Sequence, residues 1–441
     1  MFYEEVGAVD FGDKRLSRRL IMVGEQIGQR VQSLICSLFT SKAEREGAYR
    51  LFSNTKVKVE TLKKAHAEVV AQRIAACGDP IVAIQDSTYL NYDTHPHTRN
   101  LGRIGAKRDN TYGLIVHTTL AVNARTRASL GILDQRTFYH HADAPPHKHT
   151  PIEDKESYRW IESLRATHER APEAVTLCDR EGDIFEFYQE ALQRGATVII
   201  RQSWDRRVQQ SSGRQRLCDT LAATPWGGQA TVEYEGQTIV MRVKYARVHL
   251  MAPRRSAAAK GKRVYQTLPC SVVSAAGADR HGREIAWHLI TTRPVTDIDQ
   301  AKEVLALYQL RWHIESFHKC LKTGFKIEAA QLEERTKIER LLMVVSINAA
   351  RMYGMLHHAR AAPHTGVDLF LSPEEWKALG WLMYKKPVTA PPHLQDAVFF
   401  IASHGGFQAT KLYPYPGVLT FWRGWLIIQA QLEAVQLVWN R

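Results

Sequence analysis

Along the first 70 residues, apolar side chains recur at helical spacing. Leu16, Leu20, Val23 and Ile27 fall three or four residues apart between Lys14 and Gln29, with Arg15, Arg18 and Arg19 off that stripe, so the segment reads as an amphipathic helix. A second helix is expected over Ser41 to Phe52 with Ser41 as its N-cap, and a third from Val59 to Ala76. The pattern then shifts to short apolar runs bounded by turn residues. Ile81 to Ile84, following Gly78-Asp79-Pro80, reads as a buried strand that Asp86 closes. Leu114 to Val122 and Ser129 to Phe138 read as two more, joined by a turn at Asn123 to Thr126, and the three form an antiparallel meander. A Pro-bearing loop from His140 to Thr150 leads to a helix over Glu153 to Arg170, a strand Ala174 to Cys178, a helix Ile184 to Gln193 and a strand Thr197 to Arg201.

Three strands, then helix, strand, helix, strand is the element order of a ribonuclease-H-like catalytic core. From about 205 to 296 it is interrupted by turn-rich, alternating segments such as Gln229 to Tyr234 and Thr238 to Tyr245. It resumes in a long helix from Asp297 to Leu321, stopped by Thr323-Gly324, and an apolar helix Ile338 to Ala359. After a break at Ala361 to Pro373, helices are expected at Pro373 to Met383, Leu394 to His404 and Trp422 to Trp439. The expected architecture is therefore α/β: a ribonuclease-H-like domain at 71–360 with a β-rich insertion, flanked by helical domains at 1–70 and 361–441.

Composition fits a globular chain, 44% hydrophobic and 24% charged, with no run near the roughly 18 apolar residues of a membrane span. The start lacks a basic segment followed by an apolar core, so no secretory signal is expected, and the protein is placed in the cytoplasm with the nucleoid. Six scattered cysteines form no CxxC pair, which argues against a zinc ribbon or a disulfide scaffold. The net charge of +14 is concentrated: Arg194 to Arg263 holds fourteen Lys or Arg against four Asp or Glu, 14 − 4 = +10. Such a patch suits a polyanion, because each neutralised phosphate releases counterions; a solvated basic surface has the same composition.

An acid at the end of an apolar strand needs a cation or water, and both Asp86 and Asp179 stand there. On neighbouring strands about 4.8 Å apart they can share a divalent metal, although a strand-ending Asp also starts turns. Tyr308, Arg311, Glu315 and Lys322 lie at offsets 0, 3, 7 and 14. At about 100° per residue they share one helix stripe roughly 60° wide and about 21 Å long. Arg and Lys grip phosphates, and the carboxylate completes a metal site. The competing reading is an exposed helix with ion pairs such as Arg311–Glu315, against which Leu305, Trp312, Ile314 and Phe317 indicate an embedded one. Asp183 reads as the N-cap of the helix starting at Ile184. His140-His141 and His147-Lys148-His149 lack an evident carboxylate-backed third ligand, so they read as a solvated loop rather than a metal site.

The string Tyr308-Gln-Leu-Arg311-Trp-His-Ile-Glu315, followed by Lys322-Thr-Gly324, resembles the Tyr-Arg-Glu-Lys signature of bacterial insertion-sequence DDE transposases, in their transposon-five branch. Ile84-Gln-Asp86-Ser-Thr88 is similar to that family's first-Asp motif, with Ser87 where threonine is usual, and Cys178-Asp179-Arg-Glu-Gly-Asp183 to its second. Glu46-Gly-Ala-Tyr-Arg50 resembles its end-binding region, and Gly405-Gly-Phe407 with Trp422-Arg-Gly-Trp425 its dimerisation region. The resemblance implies two Mg²⁺ ions, with Mn²⁺ able to substitute, held by Asp86, Asp179 and Glu315. It implies cut-and-paste transposition through a hairpin, on double-stranded transposon ends and target DNA, by a homodimer. Tyr308, Arg311 and Lys322 match the family's DNA-holding residues, and Trp287 its base-stacking tryptophan; on its own Trp287 reads equally as core. Arg201, Arg15, Arg19, Arg30 and Arg50 are further candidate DNA contacts. A nuclease that cuts without joining, or a host-adopted regulator lacking an acid, are the alternatives, and all three acids are present.

Overall fold

The computed structural model describes residues 1–7, 9–30, 35–39, 41–105, 109, 111–140, 150–210, 213–234, 237–253, 267–411 and 413–439. The N-terminal part is helical: α1 (Phe2–Val6), α2 (Lys14–Gln29), α3 (Ile35–Leu38), α4 (Lys42–Ser53) and α5 (Val59–Cys77). Helix α2 has the predicted limits, with Leu20, Val23 and Ile27 buried, and Ser41 caps α4 by accepting from the Glu44 amide at 3.1 Å. The short α1 escapes sequence reading. It is fastened to α5 by Arg73, whose guanidinium donates twice to Glu5 at 2.8 Å.

Strands β1 (Ile81–Asn91), β2 (Gly102–Arg103), β3 (Tyr112–Asn123) and β4 (Ser129–Phe138) follow, with β3 antiparallel to β1, β2 and β4. The predicted meander is present, with β3 in the middle. Helix α6 (Tyr158–Arg170) starts later than the apolar pattern predicts, because Ile152–Asp154 first winds into a 3₁₀ turn. After it come β5 (Val175–Cys178), α7 (Phe185–Arg194) and β6 (Val198–Arg201), both strands continuing the sheet in parallel beyond β1. The order β4-β3-β1-β5-β6 is the ribonuclease-H-like core.

Strand β1 differs from expectation: it runs past Asp86 to Asn91. Its pairing with β5 ends at Gln85↔Cys178, but its pairing with β3 continues to Asn91↔Gly113, which keeps the backbone extended. The insertion supplies β7 (Arg207–Gln210), β8 (Gly213–Arg216), α8 (Leu217–Ala223), β9 (Gly228–Tyr234), β10 (Gln237–Met251), β11 (Thr267–Ala278) and β12 (Glu284–Thr291). It forms no separate layer. Strand β12 pairs antiparallel with β6, covering what is otherwise an open edge of buried residues, so core and insertion share one sheet.

The expected long helix is broken into α9 (Ile298–Gln309) and α10 (Trp312–Lys319), followed by a π-helical turn Cys320–Gly324. At the junction the amides of Leu310, Arg311, His313 and Ile314 donate three residues back rather than four. Helix α11 (Arg335–Ala361) is buried nearly all round, as its apolar sequence requires, because the N-terminal helices, β4 and the C-terminal helices surround it. The C-terminal part comprises α12 (Pro373–Tyr384), started by a Ser372/Glu375 capping box, α13 (Leu394–His404) and α14 (Val418–Trp439). Among the described residues no helix is long and apolar enough to cross a membrane.

The heavily apolar α14 reads from sequence as a partner surface. Part of it instead packs within the chain: Trp422, Trp425, Ile428 and Leu432 are buried, with Trp422 against Phe325 at a ring separation of 5.0 Å, whereas Val438 and Trp439 are exposed. Gly424 allows this close approach, since a β-carbon there meets the Ile401 carbonyl of α13 far inside van der Waals contact. Gly424→Ala should therefore loosen α14 from α13, costing about 1–3 kcal/mol. Hydrogen exchange across 418–439 should show the loosening; unchanged protection there means that the contact can relax freely.

Candidate active site

The β1–β5 register decides where the acids fall. Gln85 pairs with Cys178 at the end of the ladder, so the residues that follow, Asp86 and Asp179, leave neighbouring strands at the same level, close enough for Asp179 to act on the Asp86 carboxyl. Asp179 also starts a turn, its Oδ1 accepting from the Glu181 amide at 2.8 Å at the head of a 3₁₀ turn. Glu315 comes from the first turn of α10, which packs on β1. Arg311 joins them: its Nη1 lies 3.3 Å from Asp86 Oδ2 and its Nη2 donates to Glu315 Oε1 at 2.5 Å. The end of β1 is tied to the segment after α10 by Tyr92 Oη donating to the Ile327 carbonyl and Glu328 accepting from the Asn91 amide. Strand and helix are thereby held in fixed relation.

Burial, and next the adjoining Asp179, push the Asp86 carboxyl up from 3.8 to about 7, while Arg311 opposes the rise. Three carboxylates share one guanidinium, and the site remains short of positive charge. Among the described residues no three His, Cys, Asp or Glu side chains close on a common point; Arg311 lies between Asp86 and Glu315 instead. The donor set is all carboxylate oxygen, and the rise of the Asp86 carboxyl comes from burial first and the adjoining Asp179 second. Hard oxygen donors with excess negative charge fit Mg²⁺ or Mn²⁺.

Beside Arg311 opens a cleft of about 570 Å³, lined among others by Trp287, Tyr308, Tyr234, Arg201 and Trp312. Trp287 is buried, edge-on to Tyr308 at 5.7 Å and to Tyr234 at 6.4 Å. It is thus both packed and at a cleft wall. The Tyr308 hydroxyl is buried and has no hydrogen-bond partner among the described residues. Arg201 reaches the Ala286 carbonyl at 3.4 Å, and Trp312 is about half exposed.

The straight polar stripe from Tyr308 to Lys322 does not exist as drawn from ideal helix angles. The 3₁₀ junction and the π turn reset its phase, and Lys322 Nζ turns to the Tyr89 carbonyl at 2.9 Å and to Glu328 at 3.5 Å. The N-terminal arginines lie apart from the acids. Arg15 is exposed, Arg19 lies against Gly47, and Arg50 pairs with Glu46 at 3.5 Å. Arg30 is engaged within the chain, by Glu433 of α14 at 2.9 Å and the Leu38 carbonyl at 2.8 Å.

Asp183 is not the N-cap of α7; Ile184 holds that place without a side-chain bond. Its buried carboxylate accepts instead from Arg206 Nε, Tyr188 Oη and the amides of Ser203 and Trp204. That bond set pins the Asp179 turn to the loop after β6, and only the fold could bring Arg206 there. His140 does have a carboxylate partner, Glu156 at 2.7 Å, while His141 and His147 to His149 lie outside the described residues. Sequence reading also missed His117, buried under the site and 3.0 Å from Ser87 Oγ.

Three family models match the chain in order. Transposase DNA-binding matches residues 2–57, Transposase DDE domain residues 78–350, and Transposase Tn5 dimerisation domain residues 347–439.

The raised Asp86 pKa has a measurable sign. In metal-free protein the native carboxyl keeps its proton to about pH 7, whereas the unfolded one releases it near 3.8. The native state then binds more protons between those values, and Asp86 lowers stability progressively as pH rises through that window. Asp86→Asn should raise stability by about 1–2 kcal/mol at pH 8, less than the full shift because the Arg311 ion pair is also lost, and by little at pH 4. Melting curves with chelator present test this; no gain at pH 8 contradicts the electrostatic account.

Proposed function

The chain belongs to the DDE transposase family, and from that premise we propose a cut-and-paste transposase in which Asp86, Asp179 and Glu315 hold two Mg²⁺ ions, replaceable by Mn²⁺. Family membership makes it a DNA-cleaving and strand-transferring enzyme that depends on divalent metal. The observation that carries the assignment of residues is the Gln85↔Cys178 register, which sets Asp86 beside Asp179 where Arg311 and Glu315 arrive from α10. When bound, divalent ions supply Lewis acidity to the attacking and leaving oxygens.

The chain's own residues do the remainder. Asp86 gives up the proton that burial makes it hold, and Arg311 exchanges a carboxylate for a DNA phosphate, for which its fork geometry is equally suited. Trp287, at the cleft wall beside Tyr308, receives an extruded base; stacking worth about 1–3 kcal/mol offsets the unstacking that a tight hairpin demands. Lys322, Arg201 and the basic insertion hold backbone phosphates. Residues 1–70 recognise transposon ends, 71–360 cut and join, and 361–441 pair two subunits, each cutting the end its partner holds, at the nucleoid.

Support for pairing comes from the face of α14 that the core leaves uncovered. Leu419, Ile427, Ala430, Ala434 and Val438 are exposed along one side of that helix, with Arg423 as the charge among them. Ile427→Glu with Ala434→Glu should abolish paired-end complexes in sedimentation while sparing single-end binding. Persistence of the pair would move the interface elsewhere.

Alanine at Asp86, Asp179 or Glu315 should reduce nicking to background and leave end binding largely intact, as read on labelled end fragments. Survival of cleavage in any one of the three removes that residue from the site. Trp287→Ala should slow hairpin formation roughly ten- to a hundredfold with first-strand nicking little changed. Equal loss at both steps reduces Trp287 to a packing residue.

A further inference from the structure

The cleft beside Arg311 extends well beyond the aromatic wall that receives a base. Its other end is formed by Arg127, in the turn between β3 and β4, by His313 at the start of α10, and by Tyr353, His357 and Arg360 of α11. At about 570 Å³ the whole cleft lies inside the range of roughly 300–1,000 Å³ typical of ligand sites, and one base fills only part of it. Its charge is uneven. The acid in its lining, Glu233, neighbours Tyr234 at the aromatic end. The far end carries two guanidiniums beside imidazoles and phenols: His357 is pushed well below its ordinary range by burial and then by His313, Arg360 and Arg127, and Arg360 has Tyr353 and Tyr415 as neighbours.

The two arginines are in different states. Arg360 is aimed by donating to the Pro416 carbonyl at 2.7 Å and lies 5.2 Å from the centre of the Tyr415 ring. Arg127 sits at φ +61, a left-handed position that favours Asn or Gly, and among the described residues its guanidinium makes no hydrogen bond or ion pair. Both ends also contain ordered polar atoms: His313 Nδ1 meets Tyr353 Oη at 2.6 Å, and the buried Tyr308 hydroxyl is unpartnered among the described residues. The separation follows from the sheet register. Asp86 pairs with Thr118, and the Arg127 turn begins at Asn123, five residues along β3, or about 17 Å. At 3.4 Å per nucleotide in duplex and roughly twice that when stretched, this spans about three to five phosphates.

We propose that the Arg127–Arg360 end of this cleft is a phosphodiester-binding subsite, which holds the backbone of the DNA strand whose base is received at Trp287, about three to five nucleotides from the phosphate at Asp86. The subsite rests on the base-receiving reading of Trp287, and it adds a second grip, independent of Arg311 and Lys322, that fixes the strand's direction away from the acids. Guanidiniums suit this role because they bind phosphate through paired donors and stay charged at every working pH.

The test uses the full-length protein and a single-stranded oligothymidine carrying one 2-aminopurine, with each phosphate in turn replaced by a neutral methylphosphonate. Arg127→Asn, a residue suited to the left-handed backbone, should weaken binding about five- to tenfold and flatten the log K versus log salt slope by about 0.7. Arg127→Lys should restore most of both. In the unaltered protein, a methylphosphonate at one position along the strand should reproduce the loss and add nothing to Arg127→Asn. Arg360→Gln should behave alike, with a melting curve to check that its Pro416 contact is dispensable; if it unfolds, the Arg127 series decides. Aminopurine fluorescence reports the base separately. A slope loss in Arg127→Asn with no Trp287-dependent quenching leaves the subsite standing and removes the base reading. Unchanged affinity and slope in Arg127→Asn, or equal loss from methylphosphonates at every position, overturns the subsite.

Discussion

Asp86 is an acid buried at the end of an apolar run with Asp179 beside it, and the cost of holding that charge away from water is the constraint on which the site depends. Arg311 offsets part of it by reaching both Asp86 and Glu315, yet Asp86 still retains its proton to about pH 7. Such a site cannot be carried on flexible chain, because the acids would swing apart. Here Asp86 is part of a strand whose preceding residues, Val82 to Ile84, are fully buried between two neighbours, and Asp179 follows the next strand directly. Glu315 is fixed by a helix whose following segment is bonded to the far end of the same strand. Rigidity in the sheet thus holds together charges that separately prefer water.

The long α11 extends this rigidity to both ends of the chain. Asn348 donates to the Gly24 carbonyl of α2, and Arg340 donates to the carbonyls of Phe52 and Val57, so the N-terminal helices are keyed to the helix that backs the cleft. Trp422 of α14 packs on Phe325 just beyond the π turn. A movement of the C-terminal helix is therefore felt within a few residues of Lys322 and Glu315. The regions matched by the DNA-binding, DDE and dimerisation models share one core rather than three loosely linked ones.

The insertion enlarges the sheet on the side where Arg201 and Trp287 stand, through β12 against β6. That pairing gives the cleft its aromatic wall, and Asp183 with Arg206 ties the wall's neighbouring loop to the Asp179 turn. Basic residues that sequence reading assigns to one diffuse patch are consequently sorted by the fold. Arg201 faces the cleft, and Arg206 is buried as a counter-ion.

Local pattern alone determined much of this protein. Helix α2 was legible to the residue from its apolar stripe, Ser41 from its capping chemistry, and the order of core strands from short β-branched runs, because each depends on neighbours within a few positions. Spaced motifs singled out Asp86, Asp179 and Glu315, and Arg311 is found between the first and the last of them. Other features were settled only by distant contacts. The break between α9 and α10, the π turn that redirects Lys322, the capture of Asp183 by Arg206 and of Arg30 by Glu433, and the inward packing of Trp422 and Trp425 all depend on residues far away in sequence. Helix periodicity says which residues share a face, but not what that face meets, and a charged or apolar side chain takes its role from whichever partner the tertiary fold delivers.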